Sequence, residues 1–235
     1  MSCLPITVRT LQAYDAYIDL SERTEAKEVT WIDSTLRCAG IDPLYTQARY
    51  KRSHLPVPLS ASMKYGPLFS FLKAGGRKLL ILHREASVEA RSMPASVMNR
   101  LAQAILAYTN YTILTVAPVD LRDERVVDLT GVMDTFEAYM YCISQADGFV
   151  SVDTSLSHIA DAFNVPGVAL FTVEAVARWV SYYPLVEGLQ VSQPTGALDM
   201  DLNAIARDWD RVDADEVLAR LERAVDRRIM FSGEC

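Results

Sequence analysis

From Lys78 onward the chain alternates short apolar runs with amphipathic segments, and this alternation restricts the fold more than any other feature. Leu79-Leu80-Ile81-Leu82 has no polar member, the pattern of a strand covered on both faces. Pro94 stands where a first helical turn tolerates its missing N–H, and Val97, Leu101, Ala104, Ile105 and Tyr108 then recur on one helical face. Residues 111–116 and 126–129 predict two more strands. Asp134 or Thr135 can cap a helix with Phe136, Tyr139, Met140 and Ile143 on one side. Residues 148–152 predict a further buried strand, 153–163 a helix opening directly off it, and 168–171 the next strand. An amphipathic helix over 213–228, built on Val217, Leu218, Leu221 and Val225, closes the pattern. Such spacing requires βαβ crossovers and therefore an α/β fold with a Rossmann-like parallel sheet and flanking helices. Ligands of parallel sheets bind at the carboxyl ends of the strands, which directs attention to the loops 82–94, 116–125 and 152–158.

Residues 1–77 do not repeat this pattern. Residues 14–20 alternate like a short strand, and 26–38 predict a helix with Val29, Ile32 and Leu36 on one face and Gly40 as its stop. Residues 41–76 contain Pro43, Pro56, Pro58, Pro67 and the turn Ala74-Gly75-Gly76, and read as a linker or crossover. Within them Lys51, Arg52 and His54 form a basic cluster that reads as solvated linker, the alternative being a surface that touches an acidic partner.

Composition narrows the function classes. Of 235 residues, half are hydrophobic and only 10 are Gly and 10 Pro, which excludes disordered and low-complexity chains. A formal net charge of −7 makes nucleic acid an unexpected partner. No run of about 18 apolar residues is present, and the first ten residues lack a signal peptide's basic and apolar regions, so no membrane span is expected. Cys3, Cys38, Cys142 and Cys235 show neither C-x-x-C nor Cys/His spacing, as expected of free thiols in a cytoplasmic protein without a metal site. The acidic tract 199–215, with Asp208-Trp209-Asp210, lacks a cation-loop pattern and reads as solvated surface.

The chemistry concentrates in Val150-Ser151-Val152-Asp153-Thr154-Ser155-Leu156-Ser157-His158-Ile159-Ala160-Asp161-Ala162, followed by Pro166-Gly167 and the next strand. A buried strand here delivers a carboxylate, three hydroxyls and a histidine to the first turn of a helix, whose unsatisfied amides and partial positive charge suit an anion. The plain alternative is that Asp153 or Thr154 merely caps the helix and His158 is an ordinary half-buried side chain.

This stretch resembles the C-terminal half of the heptosyltransferase-like glycosyltransferases of the GT-B fold, which carry strand, Asp-Thr/Ser-Gly-x-x-His-x-Ala-x-Ala, Pro, strand at this spacing. Residues 79–87 resemble the family's strand and phosphate-side loop. Arg91-Ser92-Met93-Pro94 resembles its basic-x-Trp-Pro segment, Val127-Asp128-Leu129-Thr130-Gly131 the segment before its next helix, and Tyr183-Pro184 a pair near its end. The resemblance covers roughly residues 78–230. It implies that residues 78–235 form a nucleotide-sugar-binding domain and that 1–77 are a truncated N-terminal α/β region with a crossover linker.

By position, the resemblance places Asp153 at the donor sugar, with Thr154, Ser155 and His158 beside the diphosphate. Ser87 falls in the phosphate-side loop, Arg91 neutralises phosphate charge, and Asp120 accepts ribose hydroxyls. No metal or cofactor is implied, since a helix N-terminus and a cation can stabilise the departing diphosphate. The expected function is therefore a glycosyltransferase, or a subunit of one, acting on a nucleotide-activated sugar and an unspecified acceptor. The alternative is a catalytically inactive binding or scaffold module. The catalytic base is unassigned, Asp15, Asp19 and Glu22 being the weak candidates. Association with a second copy, or with a partner chain that completes the N-terminal domain, is expected. Three departures bear on the donor site. Arg84-Glu85 replaces the family's Pro-Gly and brings a carboxylate near the phosphates, Ser155 replaces Gly, and Thr172-Val173-Glu174 replaces Gly-Pro-Thr.

Overall fold

The apolar runs pair side by side as the parallel sheet that their composition requires. In the computed structural model, which describes residues 29–194 and 201–232, the strands are β1 (Lys78–His83), β2 (Tyr111–Thr115), β3 (Val126–Asp128), β4 (Gly148–Val152), β5 (Gly167–Phe171) and β6 (Val186–Gln190). Their order is β3-β2-β1-β4-β5-β6, every neighbouring pair parallel. The chain builds outward from β1 to β3, then returns to lay β4 on the other side of β1. Leu82 pairs with Val150 and His83 with Ser151 across that reversal. Such a switch point splays the two following loops apart and opens a crevice between them.

Alternation within the strands divides the core. Leu80, Leu82, Val150, Val152, Val168 and Leu170 pack toward α3 (Ala95–Tyr108), α7 (Leu202–Asp210) and α8 (Ala214–Ser232), meeting Val97, Leu101, Ile105, Trp209 and Leu221. α2 (Leu59–Leu72) and α4 (Phe136–Ser144) pack on each other, with Phe69 and Tyr141 edge to face at 5.6 Å. α5 (Ser155–Ala162) neighbours α4, and the short α6 (Val176–Trp179) lies on β6.

Gly167 marks how tightly the sheet is packed. A Cβ there would lie 2.3 Å from Phe149 Cδ1 and 2.4 Å from the Phe149 carbonyl oxygen. Since β4 backbone cannot yield like a side-chain tip, Gly167→Ala is expected to cost about 1–3 kcal/mol, measurable as a lower urea midpoint. An unchanged midpoint would show that β4 and β5 can slide apart freely.

The chain divides into two compact units, residues 1–51 and 52–235. In the first, the described residues contain α1 (Trp31–Cys38), which occupies most of the helix read over 26–38. Thr30 Oγ1 caps it by accepting from the Asp33 amide at 3.0 Å, and Gly40, at φ 72°, ends it. Lys51 is not solvated linker but a buried side chain bonded to Asp33 at 2.8 Å. The strand read over 14–20 lies outside the described residues.

Three readings are corrected. The segment 41–76 is not all linker: α2 occupies 14 of its residues. Pro58 sits at the N-cap and Pro67 within the helix, so the punctuation that argued against a helix is accommodated by it. The acidic tract 199–215 contains α7, which turns its acids outward while Ile205 and Trp209, four residues apart, enter the core. Arg52 is anchored: its Nε donates to Asp161 Oδ1 at 2.9 Å and its Nη2 to the Asp161 carbonyl at 2.8 Å and Asn164 Oδ1 at 2.9 Å. Neither β6 nor α6 was anticipated, because Val-Glu-Gly-Leu-Gln offers only two apolar residues. Its Glu187 is instead held by Arg220, Arg223 and Arg227 of α8.

Candidate functional site

At the switch point a cavity of about 540 Å³ opens between the loop after β1 and the junction of β4 with α5. Ser87 and Arg91 line it from the first, Asp153, Thr154, Ser155 and His158 from the second. Six residues singled out in the sequence therefore share one crevice. Asp120 does not line it: that residue is exposed on the β2–β3 loop, its amide donating to Asn99 Oδ1 at 3.1 Å. A larger cleft of about 740 Å³, bordered by Tyr108, Asn110, Tyr111 and Leu218, lies at the amino ends of the strands, away from these groups.

Thr154 is the helix cap, its Oγ1 accepting from the Leu156 amide at 3.3 Å. Asp153 is thereby released from capping. Its amide remains in the sheet, donating to the Leu170 carbonyl at 3.0 Å, while its carboxylate meets Arg91 Nη1 at 3.3 Å. Burial pushes the Asp153 carboxyl above the usual carboxylate range, against the pull of Arg91. Nearby Glu174 pushes in the same direction as burial. Arg91 also donates to Ser87 Oγ at 2.8 Å. Its short 3-10 helix, Glu89–Arg91, is fixed by the buried Thr172, whose hydroxyl donates to the Ala90 carbonyl at 2.8 Å. Thr172, the first residue of the Thr-Val-Glu segment, thus helps to position the arginine.

Sequence reasoning passed over His83, Tyr139 and Trp179 as site residues, while it had placed the Glu85 carboxylate near this position. Burial lowers the pKa of His83, with the Glu85 backbone and carboxylate acting the other way. Tyr139, on the buried side of α4, has a phenol raised far above its ordinary value by burial, with Ser155 and Thr154 acting the other way. Trp179 approaches His158 at 5.8 Å between ring centres. Glu85 reaches the cavity too, pairs with Arg84 at 3.5 Å, and is 56% exposed. Histidine at the end of β1 was the available signal for His83, and the helical face around Phe136 for Tyr139.

Burial also lowers the pKa of His158, leaving its imidazole neutral at pH 7. The lining thus offers one cation, two carboxylates and several neutral donors. Among the described residues no group of three or more His, Cys, Asp or Glu is placed to hold a metal, and no helix is long and apolar enough to cross a membrane. The base candidates Asp15, Asp19 and Glu22 lie outside the described residues.

An α/β unit of this strand order, with a polar crevice at its switch point, is a Rossmann-like domain of the kind found in GT-B proteins. Residues 68–198, more than half of the chain, match the model of glycosyltransferase family 9 (heptosyltransferase), and the chain belongs to that family. Among solved structures it is similar to the glycosyl transferase family 9 protein of Veillonella parvula DSM 2008, with a TM-score of 0.60 and 12% identity over 90% of this chain and 63% of that one. It is also similar to E. coli ADP-heptose LPS heptosyltransferase II, with a TM-score of 0.61 and 16% identity over 87% and 65%. The chain spans less than two thirds of either structure, and at these identities the likeness is one of fold. No curated protein matches it significantly.

Proposed function

We propose that the cavity at the switch point binds the diphosphate of a nucleotide-activated sugar, and that the chain is a glycosyltransferase or a subunit of one. The observation that carries this reading is the convergence of the α5 N-terminus, Arg91 and Asp153 on one crevice. In the transfer, the bond from the sugar's anomeric carbon to the diphosphate oxygen breaks and a bond to an acceptor oxygen forms. The acceptor proton passes to a base, and the leaving diphosphate gains negative charge. Helix amides and a guanidinium already aimed at that position stabilise this charge without reorganising. Asp153 is suited to accept hydroxyls of the sugar, and Thr154, Ser155 and His158 to donate to phosphate oxygens.

Adenosine diphosphate is the first nucleotide to test, because ADP-heptose appears in the name of the E. coli neighbour. Calorimetry with ADP, UDP and GDP is expected to show saturable binding of at least one by the folded chain. A folded chain that binds none of them refutes the nucleotide reading.

A second reading, a binding or scaffold module without turnover, is favoured by one observation. Among the described residues Arg91 is the only cation lining the cavity, it is already paired with Asp153, and Glu85 adds a further negative charge. Nucleotide binding without hydrolysis or transfer of a bound nucleotide-sugar would select this reading.

A further inference from the structure

His158 stands one turn into α5, with its ring between Trp179 and Tyr183. Its Nδ1 lies 2.6 Å from the Tyr183 hydroxyl. Tyr183 is buried and fixed by its backbone, donating to the Val180 carbonyl at 3.0 Å and accepting from the Val186 amide at 3.2 Å. It is not among the residues lining the cavity, whereas His158 is. Nδ1 is therefore engaged by the protein, which leaves the other ring nitrogen for the cavity.

The proton's place follows from what surrounds the phenol. Burial pushes the Tyr183 hydroxyl up to about 12, so it keeps its proton at any working pH. Ser53 acts on the phenol in the opposite direction. A phenol that keeps its proton donates it to the strongest base in contact, and at 2.6 Å that is the His158 imidazole nitrogen, a stronger base than a phenol. The Ser53 backbone in turn bears on the buried Asp161 carboxylate, which Arg52 clasps from the other side. Asp161 lies three residues after His158 on α5, so residues 52–53 brace the motif from a point about 100 positions away in sequence.

We infer that Tyr183 is a positioning residue that fixes His158 as its Nε2–H tautomer, so that a neutral N–H donor points into the cavity toward the oxygens of a bound diphosphate. The opposite tautomer would present a lone pair to those oxygens and repel them. The destination of the donor rests on the nucleotide reading above, while the tautomer does not.

The test is a long-range 15N–1H correlation of the ligand-free full chain labelled at histidine, recorded above the imidazole titration range. The His158 signal is assigned by its loss in His158→Gln. His158 is expected to carry its proton on Nε2. Tyr183→Phe keeps the ring and its burial but removes the O–H, and is expected to mix the two tautomers and weaken ADP binding about 2- to 10-fold. Ser53→Ala, which leaves the phenol in place, is expected to do the same to a smaller degree. A wild-type His158 protonated on Nδ1 overturns the inference even if the Phe variant does not fold. An unchanged tautomer and unchanged ADP affinity in the variants overturn it as well. If the wild-type chain binds no nucleoside diphosphate, the nucleotide reading fails instead, and the spectrum separates the two failures.

Discussion

Replacing Arg52 with alanine is expected to destabilise the fold by about 3–5 kcal/mol, the usual cost of removing one member of a buried ion pair. Asp161 is completely buried, and Arg52 holds both its carboxylate and its carbonyl. Truncation leaves the charge with no comparable partner. Against a total stability of about 5–15 kcal/mol for a typical domain, a loss of that size lowers the unfolding midpoint severely. The pH dependence gives the cause a signature. Burial already raises the Asp161 carboxyl above its ordinary 3.8, and Arg52 lowers it. Without the guanidinium the carboxyl rises further, so the folded state holds the proton more tightly than the unfolded state does. Stability is then lost as pH climbs through the window between 3.8 and the folded value, and is regained as pH falls back. Urea titrations near neutrality and at mildly acidic pH should show the deficit shrinking with acid. Arg52→Ala/Asp161→Asn should be more stable near neutrality than Arg52→Ala alone. A deficit that is the same at both pH values and untouched by Asp161→Asn would mean that Arg52 acts through packing.

The same ion pair shows where the sequence stopped being legible. The fold was readable wherever a strand is buried on both faces, because Leu79 to Leu82 and, apart from Ser151, Phe149 to Val152 are apolar there. It became unreadable at the sheet's edge. β6 has Glu187 and Gly188 in its middle and is completed by arginines from α8, a contact about 30–40 residues away that no local periodicity reports. Arg52 looked like solvated linker for the same reason, since its partner Asp161 is 109 residues distant. The crevice was legible to a greater extent, because a strand ending in Asp-Thr-Ser ahead of a helix constrains its own geometry. What the motif could not report was the surrounding wall. Tyr139 and Trp179 line it and Tyr183 stands behind His158, all on helix and loop faces where core filler and site lining have the same pattern.

Arg91→Ala is expected to weaken nucleoside diphosphate binding about 10- to 150-fold, corresponding to about 1.5–3 kcal/mol for a hydrogen bond to a charged group. Glu85→Gln is expected to act in the opposite direction, strengthening binding by about two- to fivefold, because an exposed charge contributes less than a partly buried one. The opposition matters more than either magnitude. Arg91 is shared between Ser87 and Asp153 and is 23% exposed, so its removal also strands a buried carboxylate. A loss of affinity in that variant alone could therefore reflect a disturbed loop. Arg91→Ala/Asp153→Asn removes the stranded charge. If the guanidinium itself holds phosphate, affinity in the double variant stays low, whereas a loop effect is relieved. Glu85 pairs with Arg84, bears on the neighbouring His83 and is more than half exposed, so a gain in Glu85→Gln reports the sign of the ligand's charge with little disturbance of the core. Both effects should shrink with added salt, the Glu85 effect faster because it acts across solvent. Should Arg91→Ala leave calorimetric affinity intact while Glu85→Gln fails to raise it, the crevice between β1 and β4 is not where the diphosphate binds.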